Sequence, residues 1–150
     1  MKQVNLSKED IESLIPHSEG MCLLESVTAY SEEEIVCQTQ SHLLDDNPLK
    51  IKGRLSKMHL IEYGAQAIAV HGGLIEKEKN KGQIGGAKIG YIAMVKSVVW
   101  GVFNPLTEKL MVRAKVIVLD DMMKRYRFSV IDSEQQEVCS GSVLVVIQKK

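Results

Sequence analysis

The apolar run at residues 58–70 reads Met58-His59-Leu60-Ile61-Glu62-Tyr63-Gly64-Ala65-Gln66-Ala67-Ile68-Ala69-Val70. It contains a single carboxylate, Glu62. At the helical period of 3.6 residues, His59, Glu62 and Gln66 share one face, whereas apolar side chains cover most of the remaining surface. The sequence therefore predicts a long, buried helix with one narrow polar stripe. A charge in such a place is costly unless it is paired, protonated or used in chemistry, so Glu62 is the first candidate functional residue.

The segments on either side of this helix predict an antiparallel sheet. Ser56 is suited to cap the start of the helix and Gly72-Gly73 to end it. Turn signals separate six apolar or alternating segments that predict strands, a hairpin before the helix and a four-stranded meander after it. These strands are expected at residues 21–30, 35–40, 83–100, 109–119, 126–132 and 138–148. Only one long helix is available to cover the apolar face, so the predicted fold is α+β, an antiparallel sheet wrapped around one long central helix.

Composition narrows the class of protein. A chain of 150 residues with 45% hydrophobic side chains fits one domain spanning residues 1–150. The 19 basic and 19 acidic residues balance, so nucleic acid is not an expected partner. No apolar stretch is long enough to insert in a membrane and the N-terminus lacks an apolar signal core, so we expect a cytoplasmic protein. The three cysteines are widely spaced, which predicts packed free thiols, and we expect no metal and no cofactor.

Three motifs resemble one known family. In chain order they are Leu14-Ile15-Pro16-His17 leading into Met21-Cys22-Leu23-Leu24-Glu25, then Ile61-Glu62-Tyr63-Gly64-Ala65-Gln66, then Gly90-Tyr91-Ile92-Ala93-Met94-Val95-Lys96. They are similar to the hotdog-fold 3-hydroxyacyl-acyl-carrier-protein dehydratases, and most similar to the divergent branch associated with aryl-polyene-type biosynthetic clusters. The resemblance covers nearly the whole chain. It implies a hotdog fold and a dimer with two acyl tunnels at the subunit interface.

The resemblance also implies roles for individual residues. Glu62 corresponds to the family's catalytic acid. The standard enzymes carry a His-Phe-Pro-Gly stretch upstream of that glutamate, and the corresponding positions here are Asn47-Pro48-Leu49. The usual base is therefore missing, and His17 is the candidate that replaces it, although a structural role after Pro16 explains His17 equally well.

Further residues near Glu62 are candidates for substrate binding. Backbone N–H groups at the helix start, at Lys57 and Met58, are placed to polarise a thioester carbonyl. Gln66 is placed to orient Glu62 or to bridge a dimer. His59 lies one helical turn from Glu62 and is a weaker candidate for the base, since a lone helical histidine is usually just hydrogen-bonded.

The leading hypothesis is a dehydratase acting on 3-hydroxyacyl thioesters, carried by an acyl carrier protein or by coenzyme A, in fatty-acid or polyene-type lipid biosynthesis. A hotdog thioesterase in which Glu62 activates water is a second hypothesis, because it needs no histidine. A non-catalytic acyl-binding subunit that pairs with an active dehydratase is a third. A homodimer is expected, and a higher oligomer or a heterodimer with another hotdog subunit stays open.

Overall fold

The apolar run around Glu62 forms the predicted helix. In the computed structural model, which describes residues 1–15, 21–79, 88–120 and 122–149, a short 3-10 turn at Lys57–His59 leads into helix α2, Leu60–Lys79. Ser56 caps this start as predicted, and its hydroxyl accepts a hydrogen bond from the Met58 amide at 3.2 Å. A second cap, the capping box Ser7-Lys8-Glu9-Asp10, opens the short helix α1, Lys8–Glu12. Local capping patterns therefore locate both helix starts correctly.

The predicted end of α2 at Gly72-Gly73 is wrong, because the helix continues to Lys79. A glycine ends a helix by adopting a left-handed conformation, and neither glycine has a positive φ. Leu74 and Ile75 are buried in the core, which favours continuation of the helix. Gly73 has a different function: a Cβ at this position would lie 2.9 Å from the Leu14 carbonyl oxygen, so the glycine lets the end of the N-terminal helical segment approach α2 closely.

Within the described ranges, the strands form one antiparallel sheet of seven. In spatial order the sheet runs β1-β2-β3-β5-β6-β7-β4, and α2 packs against β3 to β7. This layout confirms the expected α+β hotdog fold, with the sheet wrapped around the central helix. The strands are β1 Lys2–Leu6, β2 Ser26–Tyr30, β3 Glu34–Thr39, β4 Lys88–Trp100, β5 Leu110–Leu119, β6 Met123–Ile131 and β7 Glu137–Lys149.

Both edges of the sheet differ from the prediction. Strand β4 does not pair with β5 in a meander but lies at the far edge of the sheet, beside β7. The connection through residues 101–109 is longer than a tight hairpin turn, which allows the chain to cross to the middle of the sheet. The five-residue strand β1, which forms the other edge, is too short to be recognised from alternation. The predicted start of β4 at residue 83 lies outside the described residues.

The helix lies very close to the sheet at Phe128 of β6. A Cβ at Gly64 would lie 2.5 Å from the Phe128 ring, and a Cβ at Gly141 of β7 would lie 3.0 Å from it. The ring is fully buried between these two glycines. Gly64 and Gly141 therefore set the distance between α2 and the sheet, and they place the first turn of α2 at a fixed height above it.

The three cysteines are buried free thiols, which confirms the prediction for Cys22, Cys37 and Cys139. Burial raises the pKa of Cys37 to about 12 and that of Cys139 to about 11. Both thiols are therefore protonated at neutral pH and are weak nucleophiles. Within the described ranges, no helix is both long enough and apolar enough to cross a membrane.

Candidate active site

Glu62 lies in the first turn of α2 and is half-buried. Its Oε1 atom accepts a hydrogen bond of 3.3 Å from Nε2 of Gln66, one helical turn further along. The predicted polar stripe is thus present at this point of the helix. The N-terminal end of a helix favours a negative charge, and the partial burial restricts the carboxyl group to few orientations.

Gln66 connects Glu62 to the segment at residues 21–25, here called the strap, whose three central residues are buried. Gln66 is fully buried. Its Nε2 also donates to the carbonyl oxygen of Met21 at 2.8 Å, and its Oε1 accepts from the amide of Leu23 at 2.8 Å. The side chain therefore holds the carboxyl group and the strap together. Its predicted role in substrate binding stays a prediction.

The strap is held from its other side by two hydroxyl groups. The carbonyl oxygen of Leu23 accepts hydrogen bonds from Oγ1 of Thr39 at 2.6 Å and from Oγ of Ser41 at 2.7 Å. Side chains thus satisfy the backbone groups that a strand ladder would otherwise satisfy. The predicted first strand is for this reason shorter than expected: residues 21–25 lie outside the sheet, and β2 begins at Ser26.

His17, the predicted base, lies outside the described residues. Met21 is the first described residue after it, and Gln66 holds this residue in place. The predicted catalytic role of His17 stays a prediction.

The residues at the helix start serve mainly in capping. Nδ1 of His59 accepts a hydrogen bond of 3.2 Å from the Ser56 amide, and the Met58 amide donates to the Ser56 hydroxyl. The Lys57 ammonium group lies 5.7 Å from the centroid of the Trp100 ring, at the end of β4. The Met58 side chain is 66% exposed. The substrate-binding roles of His59, Lys57 and Met58 stay predictions, and the Met58 amide is already engaged within the cap.

A buried chain of hydrogen bonds runs through Tyr63, the residue after Glu62, and sequence reasoning missed it. Nδ2 of Asn47 donates to the Tyr63 hydroxyl at 3.0 Å, and the Tyr63 and Ser41 oxygens are 2.9 Å apart. Because Ser41 in turn donates to Leu23, the donors run in one direction, from Asn47 through Tyr63 and Ser41 to the strap. Asn47, which stands where the family's missing histidine motif is expected, is 5% exposed and has a structural role.

Two further histidines, His42 and His71, are buried. Nε2 of His42 contacts the carbonyl oxygen of Thr107. Nε2 of His71 donates to the carbonyl oxygen of Ser31 at 2.8 Å. A carbonyl oxygen only accepts, so both rings carry their proton on Nε2. Nδ1 of His71 then accepts from the Tyr126 hydroxyl at 2.7 Å. Because burial disfavours the charged form, the pKa of both histidines is lowered.

Because these two histidines are buried in the neutral form, we expect the protein to lose stability in acid. The unfolded chain gains protons at His42 and His71 near pH ~6.5, whereas the folded protein, in which both pKa values are lower, does so only at more acidic pH. The stabilisation is therefore complete above pH ~6.5 and is lost as the pH falls. Nearby charges have smaller effects on these pKa values than burial has. Lys50 lowers and Glu25 raises the pKa of His42, and Lys124 lowers and Glu78 raises that of His71.

Urea unfolding at about pH 7.5 and about pH 5.5 measures this loss directly. The His71→Gln variant, which keeps a donor and an acceptor, should show a smaller difference between the two midpoints. An unchanged difference in the combined His42→Asn, His71→Gln variant would show that other groups cause it.

With the geometry established, comparison with known proteins identifies the fold and then the family. A solved chain of the dehydratase heterocomplex ApeI:P from Xenorhabdus doucetiae matches with a TM-score of 0.78 and 21% identity, covering 93% of this chain and 91% of that one. A thioesterase from Haemophilus influenzae matches with a TM-score of 0.66 and 15% identity, over 98% and 94% of the two chains. A hypothetical thioesterase from Streptococcus pneumoniae, solved with coenzyme A, matches with a TM-score of 0.61 and 12% identity, over 96% and 98%.

These likenesses define the hotdog fold. The sequence model of the ApeP-like family, described as ApeP dehydratase, matches residues 9–150, and this chain belongs to that family. No curated protein matches the sequence.

Proposed function

We propose that this protein removes water from 3-hydroxyacyl thioesters, with Glu62 as the acid and His17 as the base. The observation that carries the proposal is the placement of Glu62: a half-buried carboxyl group in the first turn of the central helix, held by Gln66 to the strap that follows His17 in sequence. Membership of the ApeP-like dehydratase family supports the same reaction.

The proposed reaction uses two proton transfers. The base removes a proton from C2, the carbon beside the thioester carbonyl, and the electron pair left behind forms a double bond between C2 and C3. The hydroxyl group on C3 leaves as water with the proton that Glu62 supplies. The products are a 2,3-unsaturated thioester and one water molecule, and no oxidant or reductant is needed. A backbone donor at the helix start, such as the Lys57 amide, would stabilise the developing negative charge on the carbonyl oxygen.

A thioesterase is the second candidate function. The observation that favours it is the structural use of Asn47, because the position of the family's usual histidine is occupied by a side chain that donates to Ser41 and Tyr63. In this alternative Glu62 activates water for attack on the thioester carbonyl, which releases the acid and the free thiol. A non-catalytic subunit that supports another dehydratase is the third candidate, and the ApeI:P relative is itself a heterocomplex.

One assay separates the three candidates. The protein is incubated with a 3-hydroxyoctanoyl thioester of an acyl carrier protein, and the intact mass of the carrier is measured. Loss of one water supports the dehydratase, a free carrier thiol supports the thioesterase, and an unchanged mass supports the non-catalytic subunit. The same assay with 3-hydroxyoctanoyl-coenzyme A tests which carrier the protein accepts.

We also propose that the protein pairs with a second hotdog subunit, a copy of itself or a related chain, through β4. This strand is an edge of the sheet and bonds to β7 on one side. Among the side chains of β4 that the structure describes, four large apolar ones are exposed, which is unusual for an edge strand without a partner. They are Ile92 at 47%, Met94 at 52%, Val95 at 36% and Val99 at 59%.

The pairing proposal predicts that charges on β4 dissociate the assembly. The combined Ile92→Lys, Met94→Lys variant should sediment as a monomer, because two buried ammonium groups at an apolar interface are strongly unfavourable. Ile117 on β5 offers a matched control, since its side chain is 53% exposed. Ile117→Lys should leave the assembly intact, and dissociation by both changes, or by neither, would argue against β4 as the interface.

A further inference from the structure

A tight hairpin turn at residues 51–54 precedes the central helix. The amide of Ile51 donates to the carbonyl oxygen of Arg54 at 2.9 Å. The amide of Arg54 donates to the carbonyl oxygen of Ile51 at 3.1 Å. The two residues between them both have a positive φ, 53° at Lys52 and 76° at Gly53. Such a turn favours Asn or Gly at its first central position. Lysine there is strained, and strained backbone positions cluster at functional sites.

The turn presents positive charge to solvent. Lys52 and Arg54 are exposed and Lys50 is half-buried. Within the described part of the chain, none of these three side chains forms an ion pair. Asp45 and Asp46 precede them, so the charge of the segment is offset only in part. Lys50, Lys52 and Arg54 are here called the basic turn.

Apolar side chains accompany these charges. Ile51 at the turn is 68% exposed, and Met58, just beyond the cap, is 66% exposed. A surface that combines cations with exposed apolar side chains fits an acidic protein surface better than a nucleic acid backbone. The balanced charge of the whole chain also argues against nucleic acid.

We propose that the basic turn is the docking surface for the acidic carrier protein that delivers the acyl thioester. This inference rests on the proposed function and adds the partner's binding surface to it. Arg54 and Glu62 are separated by eight residues of chain, so they lie no more than about 29 Å apart, and nearer because the helix start is compact. A carrier held at the turn therefore stands close to the start of the helix that carries Glu62.

Charge reversal tests the proposal, using the full-length protein in the assembled form that it takes in solution. The Lys52→Glu, Arg54→Glu variant is compared with Lys109→Glu, Lys115→Glu, which reverses two exposed charges elsewhere and alters the net charge equally. With 3-hydroxyoctanoyl carrier protein, kcat/KM should fall about tenfold in the first variant and less than about twofold in the control. With the N-acetylcysteamine thioester of the same acid, both variants should change by less than about twofold. In about 0.5 M salt the tenfold difference should shrink, because exposed charges are screened.

The strained lysine permits a second, sharper test. Lys52→Asn suits the left-handed backbone and removes the charge, so its melting temperature should not fall. Its kcat/KM with the carrier-bound substrate should nevertheless fall, by about threefold. A loss that is equal for both thioesters, or no loss with either variant, would overturn the proposal.

The docking proposal and the proposed function fail in different ways. If neither thioester is converted by any variant, the proposed function fails, and docking is then measured by fluorescence anisotropy of labelled carrier protein. Charge-sensitive binding of the carrier supports the basic turn in that case as well. Binding of anionic lipid vesicles or of DNA through these residues, without binding of the carrier, overturns it.

Discussion

Replacing Glu62 by Gln should lower kcat for dehydration by about two to four powers of ten. Glutamine keeps the size of the side chain and its hydrogen-bonding capacity toward Gln66, but it has no proton of suitable acidity to give to a departing hydroxyl group. The melting temperature should change little, because the side chain is half-buried and the packing is preserved. The measurement is the intact mass of the carrier-bound substrate over time.

Glu76→Gln is the matched control, because Glu76 lies on the same helix and is also half-buried. It should retain full activity. His17→Ala tests the second half of the assignment in the same assay. If dehydration continues at full rate in both Glu62→Gln and His17→Ala, the assignment of acid and base is wrong.

Gly64→Ala should destabilise the protein by ~2 kcal/mol, although alanine is the better helix former by about 1 kcal/mol. The added methyl group would lie 2.5 Å from the ring of Phe128, which is fully buried and is contacted from the other side at Gly141. The ring has little room to move, so either the helix or the sheet has to shift. Urea unfolding at neutral pH measures the change.

At Gly72, on the same helix, a change to alanine should have the opposite effect on the free energy of unfolding. A Cβ there meets no atom within 4 Å, so Gly72→Ala should stabilise the protein by about 0.5–1 kcal/mol. Phe128→Leu should cost less stability in the Gly64→Ala background than in the natural protein, because the smaller side chain relieves the contact. Equal effects of Gly64→Ala and Gly72→Ala would show that the contact at Phe128 is not limiting.

The parts of the fold that the sequence predicts correctly depend on local patterns. The central helix follows from the 3.6-residue period around Glu62, and its start follows from Ser56. The end of the helix is mispredicted because Gly73 serves a contact with Leu14, 59 positions earlier in the chain and invisible to any local pattern. The edge position of β4 is likewise a matter of which distant strand it pairs with.

In the candidate site, too, local patterns reveal some features, whereas contacts with distant parts of the chain determine the others. Glu62 is recognisable because a carboxylate within an apolar run stands out. Gln66 is recognisable as a neighbour on the same face, but its bonds to Met21 and Leu23 join residues 45 and 43 positions apart. The burial of His71 depends on Ser31 and Tyr126, which are 40 and 55 positions away. No spacing rule within one helix reveals such partners.

The strap also bears on the order in which the molecule is assembled. Both backbone groups of Leu23 form hydrogen bonds with side chains that come later in the chain. The partners lie in β3, in the turn after it and in α2. The strap therefore reaches its place only after those elements exist, although the ribosome makes it before them. Contacts between distant parts of the chain form slowly. The apolar side chains of Cys22, Leu23 and Leu24 therefore stay uncovered until β3, the turn after it and α2 have formed.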